Sequence, residues 1–289
     1  MGSASRYWQL VRLTGAGQRR VDEITSAKTF FQQQFAELVD QSDVADPAIQ
    51  RTLINLLRSP NTAALGDLAE RCLRCLISHQ IEQVCVQLAA KFGDRHGFTC
   101  TDLLPFVLDD GVQLMSQSLL QNQRQNNIPN QYRPLAAEIL QTFDPNRASL
   151  NTWVMRQVRH HRELRAFLRE HGVYLATDWG ILNDTSPEQM RRIFTEFHRL
   201  SATEITLAYQ LLRGYHEVYR SDRLQQRQQQ IIRGKEACPP PTPDQLSRIA
   251  QFLQTQSITL SPPAILSSLQ TIASQLRQYR LHRLGTRIK

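Results

Sequence analysis

The chain has 289 residues, with 34 Lys+Arg against 26 Asp+Glu and a formal net charge of +8. That length suits one large or two to three small domains with a substantial core. It holds no apolar run of about 18 residues to span a membrane, residues 1–15 lack the apolar stretch of a signal peptide, and its five cysteines do not suggest a disulfide framework. A cytoplasmic protein with reduced thiols is expected.

In chain order, strand signals are nearly absent, and the expected fold class is all-α, a multi-helix bundle. Residues 20–58 predict two helices. One runs through Phe30, Phe31, Phe35 and Leu38, and the other starts after Asp46-Pro47, with Ile49, Leu53, Leu56 and Leu57 on its apolar face. A strong helix follows from Leu65 to about Phe92, with apolar residues and cysteines at a 3.6-residue period, and Gly93 to Gly97 reads as a turn. The next helix begins near Thr101-Asp102 and runs on through Leu114 and Leu119, before a polar loop at Gln121–Gln131. A short helix, Pro134 to Phe143, leads to the segment FDPNRASLNTWVMRQVRHHRELRAFLREHG.

In that segment Asp144-Pro145 ends the preceding helix, and Ser149 is placed to cap the next. Gly172 closes it. One long helix is expected over 150–171, packing Leu150, Trp153, Val154, Val158, Leu164 and Leu168 inward. Its other face presents Arg156, Arg159, Arg162 and Arg169, with Glu163 and Glu170 its only acids. A solvated surface would also carry such a row, helped by pairs such as Arg159–Glu163. Six arginines between Arg147 and Arg169 exceed what solubility needs.

Beyond Gly172, a connector is anchored by Trp179, Ile181 and Leu182. Capping boxes at Ser186-Pro187-Glu188-Gln189 and Ser201-Ala202-Thr203-Glu204 open two further helices. Cys238-Pro239-Pro240-Pro241 reads as an extended linker and as the clearest domain boundary. Thr242 caps a short helix, and a turn leads from it to a last helix whose end is acid-free and basic. The organisation expected is 1–58, an N-terminal helical region; 59–175, a helical domain; 176–237, a helical middle; and 238–289, a C-terminal helix–turn–helix.

Residues 1–146 hold 13 Lys+Arg against 15 Asp+Glu, whereas residues 147–289 hold 21 against 11. Thirty of the cations are arginine, whose planar fork suits phosphate and guanine edges. A compositional bias of the genome would give the same total, so the asymmetry is the better signal of a polyanionic partner. The C-terminal helix pair has the layout that sets one helix in the major groove and clamps phosphates beside it. An ordinary helical hairpin with a basic tail has the same shape.

Cys72-x2-Cys75-x3-His79 has ligand-like spacing, with Cys85, His96 and Cys100 as completions; the alternative is small core residues on an apolar face. His160-His161 reads as a surface and core pair. There is no Gly-rich phosphate loop, nucleophile elbow or His-Glu-x-x-His, and Asp109-Asp110 reads as an exposed pair. No enzymatic activity, metal or cofactor is expected.

The run FDPNRASLNTWVMRQVR resembles the sigma-70 pattern of a Phe-Asp-x-x-Arg turn leading into a Ser/Thr-aromatic helix, through Phe143, Asp144, Arg147, Ser149, Thr152, Trp153 and Arg156. LAERCLRCLISHQIEQV, FVLDDG and YLATDWGILNDTSPEQ are similar to cyanobacterial sigma-70-like regulators related to the heterocyst-differentiation regulator HetZ. The resemblance implies sigma-factor-like organisation, with 59–175 matching sigma region 2, and a DNA-binding transcription regulator. Trp153 and Phe167 are the only aromatics of residues 150–171, and Asp102-Leu103-Leu104-Pro105 stands in place of an acidic motif. This implies holding DNA rather than melting it.

The partner expected is double-stranded DNA. Arg156, Arg159, Arg162 and Arg169 form one phosphate-contacting face. Arg277, Arg280 and Arg283 form a second, with Ser267 and Gln270 toward the bases. The alternative is an adaptor that uses the first half and the helix at 65–92 to hold RNA polymerase or another regulator.

Overall fold

The structure, a computed structural model, describes residues 3–38, 46–59, 63–108, 134–229 and 238–285. It is mostly helical and divides into two compact units, Met1–His171 and Gly172–Lys289. The four regions expected from the sequence therefore reduce to two. The proline segment 238–241 lies inside the second unit, where Pro241 is buried and the Tyr219 hydroxyl donates to the Pro239 carbonyl at 2.7 Å. The loop at Gln121–Gln131, the Asp109-Asp110 pair, the far part of the helix expected through Leu119, and Arg287 and Lys289 lie outside the described residues.

The first unit opens with an element the sequence reading missed. After a short 3-10 turn, Ser3–Tyr7, strands β1 (Gln9–Leu13) and β2 (Arg19–Glu23) form an antiparallel hairpin with Val11 opposite Val21. Gly17, at φ +74, supplies the left-handed position that its connection needs. Helices α1 (Thr25–Gln34) and α2 (Asp46–Arg58) follow, but α1 stops at Gln34 rather than running through Leu38, with Phe35 as its C-cap and a separate 3-10 turn at Ala36–Leu38.

Helix α3 (Ala63–His96) is the spine of this unit. Hairpin, α1 and α2 pack on it, as do α4 (Cys100–Leu103), α5 (Leu135–Thr142) and α6 (Leu150–His160). Every residue from Cys72 to Ser78 is buried, so its middle is covered on all sides rather than on one stripe. The helix also runs through Gly93, where a turn was expected. A Cβ there would stand 2.4 Å from the Phe98 carbonyl oxygen, so only glycine lets the returning chain cross this closely.

The edge of β1 that faces away from β2 is closed by α3. Val11 N–H donates to Ser78 Oγ at 2.9 Å, Ser78 Oγ–H donates to the Cys75 carbonyl at 2.7 Å, and the Gln9 carbonyl meets His79 Nε2 at 2.9 Å. These contacts satisfy backbone groups that an exposed edge would leave open. At the far end of the spine, His96 Nδ1 bonds the His171 carbonyl at 2.7 Å and His171 Nδ1 bonds the His96 carbonyl at 3.1 Å.

The helix expected over 150–171 is two helices, α6 and α7 (Arg162–Glu170). His161, at φ −56 and ψ 129, breaks them. Position 161 stands three residues after Val158 and three before Leu164, where an unbroken inward stripe would need an apolar side chain. It holds an imidazole instead, and the chain turns there.

In the second unit come α8 (Asp178–Asp184), α9 (Pro187–Glu196) and α10 (Ala202–Tyr215). A π-helical turn, His216–Arg220, joins α10 to α11 (Ser221–Gln228). Helices α12 (Pro243–Gln254) and α13 (Pro262–Gly285) complete it. Thr177, Ser186, Ser201 and Thr242 each accept a first-turn amide as N-caps. Helix α13 packs against α8, α9, α10 and α12, and one core joins them all, from Trp179 to Leu276. The middle region and the last two helices are thus one folding unit. Among the described residues no helix is long and apolar enough to cross a membrane.

Two outcomes follow for stability. Ser78→Ala leaves the Val11 amide buried without its acceptor and should lower unfolding free energy by about 1–3 kcal/mol, read from urea denaturation. His79 and His216 both sit below the ordinary histidine range of 6.5, chiefly because burial disfavours the imidazolium. The unfolded chain therefore takes up protons that the folded rings refuse. Stability is full above about pH 6.5 and falls as pH drops below it. Melting temperature should decline on acidification through that window, and less steeply in His216→Gln.

Candidate nucleic-acid interface

The turn that precedes α6 is built locally. Asp144 Oδ1 accepts the Asn146 amide at 3.0 Å, and Arg147 pairs with Asp144 at 3.2 Å. Ser149 then caps α6, accepting the Thr152 amide at 3.2 Å. Leu150, Val154 and Val158 are fully buried and fix which way the helix faces. The opposite side presents Asn151, Thr152, Arg156, Arg159 and His160 to solvent, and Arg162 is exposed at the start of α7. Residues 145–162 contain no acid. None of Arg156, Arg159 and Arg162 has an ion-pair partner among the described residues.

Trp153, expected in the core, is only half-buried on the shoulder of α6. Its indole N–H reaches Thr142 Oγ1 at 3.3 Å, and the Arg156 guanidinium lies over its ring at 5.3 Å from the centroid. This pairing holds Arg156 in place at a helix face. The three-residue spacing of Trp153 and Arg156 was its only sign in the sequence. Arg169 does not share the face: it is half-buried on α7, with Nε buried and without a hydrogen-bond partner among the described residues. The break at His161 divides the remaining row between two helices. His160 is the surface member of the histidine pair, with Nδ1 bonded to the Arg156 carbonyl at 2.8 Å.

The C-terminal arginines have other work. Arg277 donates to the Ala176 carbonyl at 3.0 Å and to Asp178 Oδ1 at 2.7 Å. Arg280 donates to Thr185 Oγ1 at 2.9 Å and to the Ile181 carbonyl at 3.4 Å, with its guanidinium 5.9 Å from the Tyr174 ring centroid. Both brace α8 from within the second unit rather than projecting from its surface. Arg283 is exposed near the end of α13.

Ser267 and Gln270 are exposed on the first half of α13, but in a neutral setting. Over residues 243–276 the only cation is Arg248. It is held by Asp222 and by Asp244, the latter at 3.0 Å, and its hydrogen bond keeps the Asp222 carboxyl below the usual carboxylate range. The nine residues expected to contact DNA thus fall into an exposed set on α6 and the start of α7 (Arg156, Arg159, Arg162), further exposed positions on α13 (Ser267, Gln270, Arg283), two braces of α8 (Arg277, Arg280) and the half-buried Arg169.

The cysteines with ligand-like spacing are core side chains. Cys72, Cys75 and Cys85 are buried, the Cys72 thiol lies 3.5 Å from the Ala27 carbonyl, and burial pushes it up to about 12. His79 is occupied with Gln9. Among the described residues no three His, Cys, Asp or Glu side chains gather as a metal site.

The bracing of α8 is directly testable. Arg277→Ala and Arg280→Ala should each lower the stability of the second unit by about 1–3 kcal/mol. Thermal melting followed by circular dichroism reads this.

Comparison with protein-family models, with curated proteins and with solved structures gave no match.

Proposed function

We propose that the chain is a DNA-binding transcription regulator of sigma-like organisation, and that it grips duplex DNA through the exposed face of α6 and the start of α7. One observation carries the reading: Arg156, Arg159 and Arg162 are exposed and free of ion-pair partners among the described residues, in an acid-free stretch. Phosphate contacts need cations of this kind, set in a rigid register by the helix that bears them. The Trp153–Arg156 pairing supports it by holding one guanidinium in a fixed place. Helices α12 and α13 follow the order of a helix–turn–helix, yet the neutral surface of α12 and of the first half of α13 favours α6 as the main contact.

The adaptor reading rests on a different observation. Val86 is 49% exposed on the outer side of α3, flanked by exposed Gln83, Gln87 and Ala90. That neutral strip suits a protein partner such as RNA polymerase better than a polyanion.

A duplex-binding titration over a range of salt decides between them. The wild-type chain should bind at low salt with an affinity that falls steeply as salt rises. Arg156→Gln with Arg159→Gln should weaken binding to all sequences and reduce the slope of log K against log salt by about two. Absence of duplex binding at low salt would overturn the proposal and leave the adaptor reading standing.

A further inference from the structure

The second unit carries a surface cluster that the bracing of α8 does not use. Phe197, at the C-terminal end of α9, is 36% exposed. Three rings hold it: His198 at 4.8 Å, His282 at 5.0 Å and Tyr279 at 5.4 Å between centroids, the last at an interplanar angle of 73°. The frame is fixed from both helices. The Phe197 amide donates to the Ile193 carbonyl at 2.9 Å, and His198 Nε2 bonds the Gln275 carbonyl of α13 at 2.9 Å. Arg199 then takes a left-handed conformation at φ 51, and the Leu200 amide returns to the Phe194 carbonyl.

The segments adjoining this ring hold more cations than acids. Arg199 is exposed two residues beyond Phe197, and His282 and Arg283 are exposed on α13. Glu196 is the one acid adjoining in sequence, and residues 262–289 contain none. A protein partner would need several apolar anchors to form a hot spot. Here Phe197 is the only large apolar side chain of α9 and α13 that stands out as exposed among the described residues. A single immobilised ring in an arginine-bearing, acid-poor setting fits a polyanion that brings its own flat π-faces.

We infer that this cluster is a second nucleic-acid contact that accepts a single strand, one unpaired base stacking on Phe197 while neighbouring phosphates meet Arg199 and Arg283. Its contacts are sequence-tolerant, because every base offers a π-face. The ring is already held by Tyr279, His198 and His282, so little side-chain freedom is lost on binding.

Fluorescence anisotropy of the full chain with a labelled oligothymidylate, at low salt, tests this. Phe197→Ala should weaken binding about tenfold, and Phe197→Tyr, which keeps the ring, should restore it. Far-ultraviolet circular dichroism and melting confirm that each variant is folded. Arg156→Gln with Arg159→Gln should weaken duplex binding while leaving the Phe197-dependent part of oligothymidylate binding intact, which separates the two surfaces. The inference is overturned if Phe197→Ala binds oligothymidylate as tightly as the parent. It is equally overturned if polyglutamate of matching charge displaces the oligonucleotide with equal potency, since the surface would then read charge alone.

Discussion

The second unit depends on how the end of one short helix is satisfied. Helix α8 has only seven residues, and its last carbonyls have no partners within it. They are met by side chains from elsewhere in the unit. Arg280 donates to the Ile181 carbonyl, His216 to Leu182 at 2.9 Å, and Arg220 to Asn183, while Tyr215 reaches the Trp179 carbonyl in the first turn at 3.3 Å. Arg277 holds the N-terminal side through Asp178 and Ala176. Cations at a helix C-terminus also complement its dipole. The donors come from α10, the π-helical turn and α13, so α8 ties the early and late parts of the unit into one core. Arginine suits the task because a single terminal nitrogen can donate twice, as Arg280 Nη2 does to the Ile181 carbonyl and the Thr185 hydroxyl.

This arrangement changes what net charge says about function. Residues 172–289 carry 15 Lys+Arg against nine Asp+Glu. A hydrogen bond to a carbonyl leaves the charge of Arg220 or Arg280 in place, but it ties part of the guanidinium to the protein. The first unit is almost balanced, with 19 cations against 17 acids, yet it holds the exposed row on α6. The field that a polyanion meets is set by which arginines are unoccupied and exposed, and the excess in the sequence is a poor guide to that.

Much of the fold was legible because its signals are local. The caps at Ser149, Ser186, Ser201 and Thr242, the prolines at first helical positions and the left-handed Gly172 all stand where the sequence put them. The hairpin was not legible. In β1 the burial order is half-buried, buried, buried, half-buried, buried, which is no alternation, and its open edge is closed by Ser78 and His79, some 67 residues away in sequence for the Val11 contact. The break at His161 was hidden for the opposite reason. No proline or glycine marks it, and the apolar spacing on either side is helical. The bracing role of Arg277 and Arg280 was not legible because their partners, Asp178, Ile181 and Thr185, lie about 95–99 residues away, beyond any reading of local pattern.

The same distinction explains why the two exposed aromatic sites differ in kind. Trp153 has its indole N–H occupied by Thr142 and Arg156 lying over its ring, so its role is to fix a guanidinium at the edge of α6. Phe197 has no polar atom to satisfy, and the rings around it leave it 36% exposed. An aromatic that positions a cation would serve phosphate contact under the proposed function, whereas an exposed ring braced by other rings would serve stacking. On the proposed reading, the α6 face meets the outside of a duplex, and the α9–α13 cluster a strand whose bases are no longer paired.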